Sequence, residues 1–214
     1  MAISWGVALL MALAPWPCAL HLPALALGVT LEQDVDRALP LAVGVIVVLL
    51  LIANTVMYTM RGSHAPQRNV GRAVGSGLVG LVVGSVIFHL VIILFGAPIH
   101  QLVQRTALLA LLISAFTTLP LSLHAGIHWQ DWVDIALNAR CRDDMEFFIT
   151  CVCAGSALGA YLGALPIPLD WDRPWQQWPL TCVYGALGGH TVGVVGCAIG
   201  MALKQTRGSD IKRD

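Results

Sequence analysis

Asp170 and Asp172, with Arg173 directly after them, are the side chains whose types and spacing come nearest to a reactive site. Two carboxylates beside a guanidinium could hold a divalent cation against a phosphate. Without a histidine or further oxygen ligands the set is incomplete. The alternative is a loop fixed by salt bridges and by Pro166, Pro168 and Pro174. His124 and His128 are four apart, but they follow Pro120 and lack the glutamate of an H-E-x-x-H frame. No G-x-S-x-G elbow and no G-x-x-x-x-G-K-[ST] loop occurs. The 6 cysteines read as reduced thiols, and Cys151-x-Cys153 lacks the two-residue gap of zinc and redox motifs.

A second polar set comprises His21, Asn54, Ser85, His89, Thr117, Thr118 and His190, all inside apolar runs. Each needs a partner or a wet cavity. His89 and His190 either line a polar cavity that admits a lipid headgroup or bond to a neighbouring helix. No Asp, Glu, Lys or Arg stands at the centre of a run, which argues against a charged ion pathway.

The elements that carry these residues are six apolar runs, roughly Ile3–Val29, Leu39–Met60, Ala73–Phe95, Thr106–Gly126, Phe147–Pro166 and Pro179–Leu203. As a helix, the second is about 33 Å long, enough for a hydrocarbon core of about 30 Å. Hydrophobic residues make up 57% of the 214 residues and charged residues 11%, too little polar surface for a soluble domain. Every backbone polar group in lipid must be satisfied internally, and the runs do not alternate as barrel strands do, so they are helices. The fold expected is an all-α, six-helix transmembrane bundle with short loops, one domain over 1–214. Ile3–Val29 lacks a basic n-region and exceeds an h-region in length, so it reads as a retained span. Pro15, Pro17 and Pro23 should kink it.

Arg61, Arg68, Arg72, Arg140, Arg142, Lys204, Arg207, Lys212 and Arg213 fall on one side of the bundle. Arg37, Arg105 and Arg173 fall on the other. The positive-inside rule then places both termini in the cytosol and Ile167–Trp178 opposite. No basic tract suited to nucleic acid is present.

Gly155, Gly159 and Gly163 recur every fourth residue in the fifth run, and Gly185, Gly189 and Gly193 do so in the sixth. Ser76, Gly80 and Gly84 form a third row. Such rows let helix backbones approach closely. Spacing leaves open whether they pack within the chain or dock a partner. The row in the fifth run leads into a proline-stiffened loop with Trp171, Trp175 and Trp178, residues that favour the headgroup layer. A stiff, aromatic, charged loop suits recognition of a protein or a lipid headgroup.

The string Gly163-Ala-Leu-Pro-Ile-Pro-Leu-Asp-Trp-Asp-Arg-Pro-Trp-Gln176, with Trp178-Pro179, resembles the PIG-F family. Phe88-His89, Gly96-Ala97-Pro98 and Ser114-Ala-Phe-Thr-Thr-Leu-Pro120 extend the resemblance. It implies a multi-span, non-catalytic protein of the endoplasmic reticulum in glycosylphosphatidylinositol (GPI) anchor synthesis. It also implies a large multi-span partner, an ethanolamine phosphate transferase of the PIG-O or PIG-G type, whose luminal domain holds zinc. This chain would need no cofactor. Gly155, Gly159, Gly163, Gly185, Gly189, Gly193, Trp171 and Trp175 are the expected partner contacts. Asp170, Asp172, Arg173 and His89 are the expected headgroup contacts under the alternative, a lipid-handling enzyme. A flippase is a third reading, drawn from six spans and repeated glycines; matching broken helices would support it, but the kinks of the first run have no counterpart in the fourth beyond Pro120.

Overall fold

A computed structural model describes residues 4–61, 69–169 and 171–210, with side chains through Leu203. Asp170, Arg68, Lys212, Arg213 and the start of the first run at Ile3 lie outside the described residues, as do the side chains of Lys204 and Arg207. Among the described residues ten α-helices follow in order: α1 Trp5–Leu13, α2 Pro15–Leu20, α3 Leu22–Leu27, α4 Val35–Met60, α5 Val70–Leu94, α6 Val103–Phe116, α7 Thr118–Ala125, α8 Trp129–Ala136, α9 Asp144–Gly163 and α10 Leu180–Asp210. A 3₁₀ turn covers Pro174–Gln176. Among the described residues no strand occurs, and six helical stretches are long and apolar enough to cross a membrane. The chain is an all-α, multi-pass membrane protein.

Helix ends follow local chemistry. Asp34, Asn69 and Asp143 cap α4, α5 and α9 by accepting from Arg37, Gly71 and Glu146 backbone N–H groups. The first span is three short helices broken at Ala14 and His21, as its prolines require. Trp16 Nε1 donates to Thr191 Oγ1 (3.1 Å), and Thr191 Oγ1 donates to the Ala12 carbonyl (3.0 Å), tying this span to α10.

The fourth span, α6 and α7, is the hub. Its most apolar stretch is 78% buried, against 28–39% for the other five. The helix breaks at Thr117, three residues before Pro120. Along it, Ser114 Oγ donates to the Leu81 carbonyl of α5 at 2.7 Å, and Thr118 and Ser122 face Gly84 and Gly80. A Cβ at Gly80 or Gly84 would collide with those hydroxyl side chains, so the third row packs inside the chain.

The α9 and α10 rows also face each other. A Cβ at Gly159 would lie 2.9 Å from Gly189 Cα and closer still to the Gly185 carbonyl. One at Gly189 would meet Gly155 and Gly159, and one at Gly185 would meet Gly159 and Gly163. Gly163 abuts Thr181 and Cys182, and Gly193 abuts Cys151 and Val152. The expectation that Gly155, Gly159, Gly163, Gly185, Gly189 and Gly193 dock a partner helix is therefore corrected. Their faces are occupied by each other's backbone.

α8 is an amphipathic helix that the run pattern does not announce. It buries Trp132 and Ile135, and Trp132 Nε1 donates to the Gly126 carbonyl at 2.8 Å. At this end Arg61, buried at the close of α4, pairs with Asp143 at the start of α9.

Gly189→Leu should lower the melting temperature in detergent or abolish folding, because the cost is forced helix separation of several kcal/mol. Gly196→Ala, where nothing lies within 4 Å, should be neutral or stabilising by about 0.5–1 kcal/mol. Asp143→Ala strands a buried guanidinium and should cost more than Arg61→Met, which removes the charge itself. Thermal unfolding of the two variants side by side measures the order.

Candidate functional site

The loop from Ala164 to Pro179 joins the two glycine-seamed helices at the end of the bundle shared with the α3–α4 and α5–α6 connections. Its internal brace is Gln176. The Gln176 side-chain amide donates to the carbonyls of Pro166 (2.8 Å) and Leu169 (2.7 Å), while its Oε1 accepts from the Arg173 backbone N–H (3.0 Å). Pro174 opens the 3₁₀ turn, where a missing N–H costs nothing.

Three further bonds fasten the loop to the bundle. Trp178 Nε1 donates to Thr106 Oγ1 at 3.0 Å, a buried hydroxyl at the start of α6. Arg105 donates to the Trp178 carbonyl at 3.3 Å and forms a fork on Asp36 of α4, with both N–O distances 2.7 Å. Gln177 Nε2 donates to the Glu32 carbonyl at 3.2 Å. The loop is thus pinned directly to α6 and the α3–α4 connection, and to α4 through Arg105. The Trp178–Pro179 peptide is cis.

The loop's outer surface holds Trp171 and Trp175, packed edge to face with centroids 5.9 Å apart. Trp171 is 55% exposed. Asp172 and Arg173 are exposed, and among the described residues neither joins an ion pair. Asp172 has φ +45°, a conformation that glycine or asparagine normally takes. Among the described residues, amide hydrogen bonds and prolines brace the loop. Asp170 lies outside the described residues.

The histidines separate. His89 is half-buried in α5, about 8 Å below that helix's end by helical rise, and its Nδ1 has no partner among the described residues. No bond joins it to Asp172 or Arg173. His190 is buried, stacked on Phe116 at 4.2 Å, with Nδ1 3.5 Å from Ser156 Oγ. His190 is thus a packing residue between helices, as the neighbour-helix alternative has it. His124 is buried against Tyr58 at 5.5 Å, while His128 is exposed, so the two do not converge. All six cysteines are free thiols.

This braced tryptophan loop contains the most distinctive string in the chain, and a sequence model of the "GPI biosynthesis protein family Pig-F" matches residues 17–198. The chain belongs to the PIG-F family. It is 40% identical over 108 residues to a Homo sapiens protein named "GPI ethanolamine phosphate transferase, stabilizing subunit", covering 50% of this chain and 49% of that one. The Mus musculus protein of the same name is 38% identical over 109 residues, 51% of this chain and 50% of that one. "Glycosylphosphatidylinositol anchor biosynthesis protein 11" of Yarrowia lipolytica is 39% identical over 147 residues, 67% of this chain and 63% of that protein. The matched region spans about half to just under two thirds of these relatives' lengths. No solved structure matches.

The loop is legible in the sequence, but its anchors are not. Arg105 counts there only as an orienting charge, and Thr106 only as the edge of a run. Thr106→Val should leave the Trp178 N–H without an acceptor at a half-buried site and destabilise the protein by about 1–3 kcal/mol. Calorimetry of the detergent-solubilised variant reads this directly.

Proposed function

We propose that this chain is a non-catalytic membrane subunit that binds and stabilises a GPI ethanolamine phosphate transferase in GPI-anchor synthesis. The relatives named as the stabilizing subunit of that enzyme carry the reading. The partner is a large multi-span transferase of the PIG-O or PIG-G type, held as a heterodimer in the endoplasmic reticulum membrane. Zinc and bond chemistry belong to that partner. Both termini of this chain are cytosolic, in keeping with the bias of basic residues toward the α4–α5 and α7–α9 connections and the tail. The tryptophan loop is then luminal, level with the headgroups.

The fold supports a division of labour. The glycine seam holds α9 and α10 together and so fixes both ends of the loop. Trp171 and Trp175, with Asp172 and Arg173 beside them, present an aromatic and charged surface to the membrane-proximal part of the transferase. Aromatic anchors of this kind dominate binding energy at interfaces.

A second reading rests on Asp172 and Arg173, exposed and in no ion pair among the described residues. Together with Asp170, they contact the amine and phosphate of a lipid headgroup, with His89 deeper in the leaflet. Turnover by the isolated chain would favour this reading as a lipid-handling enzyme and overturn the first.

The decisive experiment is gentle-detergent purification followed by identification of co-purifying proteins. A stoichiometric transferase is the expected result. Combining Trp171→Ala with Trp175→Ala should reduce its recovery by about tenfold or more, with the yield of folded subunit unchanged. Full recovery with the double variant would remove the loop from the interface.

A further inference from the structure

We infer that Arg105 is the positioning residue of the tryptophan loop, clamping the Trp178 carbonyl to Asp36 so that the Trp171–Trp175 pair stands at a fixed place on the bundle. The inference rests on the reading of that pair as the transferase contact.

Arg105 lies in the first turn of α6, where a cation is unfavourable beside the helix dipole. Its guanidinium side chain is only 17% exposed. It is retained there with every bond directed at another element: two to Asp36 on α4 and one to Trp178. A fork of this shape fixes direction as well as distance, which a lysine ammonium does not. The adjacent Thr106 receives the indole N–H of the same Trp178. Consecutive residues of the hub helix thus grip both the backbone and the side chain of one loop residue. Trp178 is followed two residues later by the start of α10. Among the described residues the loop's other hydrogen bond to the bundle is Gln177–Glu32, and Ile167 packs against the core, so loss of Arg105 leaves the outer part of the segment, with Trp171 and Trp175, held chiefly from within.

The test is hydrogen–deuterium exchange on the full-length chain in gentle detergent, paired with recovery of a co-expressed GPI ethanolamine phosphate transferase. Arg105→Gln should raise exchange of the amides in 165–178 by about tenfold, leave α9 and α10 protected, and lower transferase recovery. Arg105→Lys keeps the charge but not the fork, and should fall between Arg105→Gln and the parent. Asp36→Asn retains the Trp178 bond and should loosen the same segment less. If Arg105→Gln gives no folded protein, Asp36→Asn is judged by the same criterion. Unchanged loop exchange overturns the inference whatever the recovery. So does a rise spread evenly over α4, α6, α9 and α10, since a local brace moves only its loop. A loosened loop with undiminished transferase recovery upholds the clamp and overturns the docking reading.

Discussion

Two helix backbones in direct contact leave no space for a methyl group, and that exclusion at the α9–α10 seam governs much of this molecule. Between lipid-immersed helices apolar burial supplies no drive, because lipid tails are as apolar as the side chains they would replace. Close approach must come from dispersion between backbones, and only glycine permits it. Gly155, Gly159 and Gly163 meet Gly185, Gly189 and Gly193 in this way. The seam fixes where α9 ends and where α10 begins, and the tryptophan loop has to bridge those two points.

Polar interactions take over where the seam stops. At one end Arg61 meets Asp143, and at the other Arg105 meets Asp36. Each pair joins helices distant in sequence. Between the two ends, the hydroxyls of Ser114, Thr118 and Ser122 lie against the small-residue face of α5. The interior is polar in small, mostly satisfied steps. The tryptophan loop is hydrogen-bonded inward and, among the described residues, carries no ion pair on its outer side, a pattern that suits a surface made to be covered.

The bundle was legible in the apolar runs because the constraint behind them is strong: an unsatisfied peptide group in hydrocarbon costs several kcal/mol. The first span's breaks were equally legible, since Pro15, Pro17 and Pro23 each remove a donor. What faced the glycines was not legible. Four-residue spacing defines a stripe on one helix and says nothing of what lies across from it. The bond between Arg105 and Trp178 was hidden for a related reason, the two being 73 residues apart and joined only by folding. The helix α8 was written in Trp129, Trp132 and Ile135 at three-residue steps, but a short interfacial helix has no length signature to set it apart from a loop.

The span that most of the others touch is fourth in the chain. As ribosomes thread this protein into a bilayer, α4 and α5 arrive before the element that fills the space between them and the later helices. Until Val103–Ala125 enters, Gly80 and Gly84 of α5 have no opposing surface, and Arg61 awaits an acid still unsynthesised at position 143. The contacts that seat α5 in the bundle are therefore complete only once the middle of the polypeptide is in place.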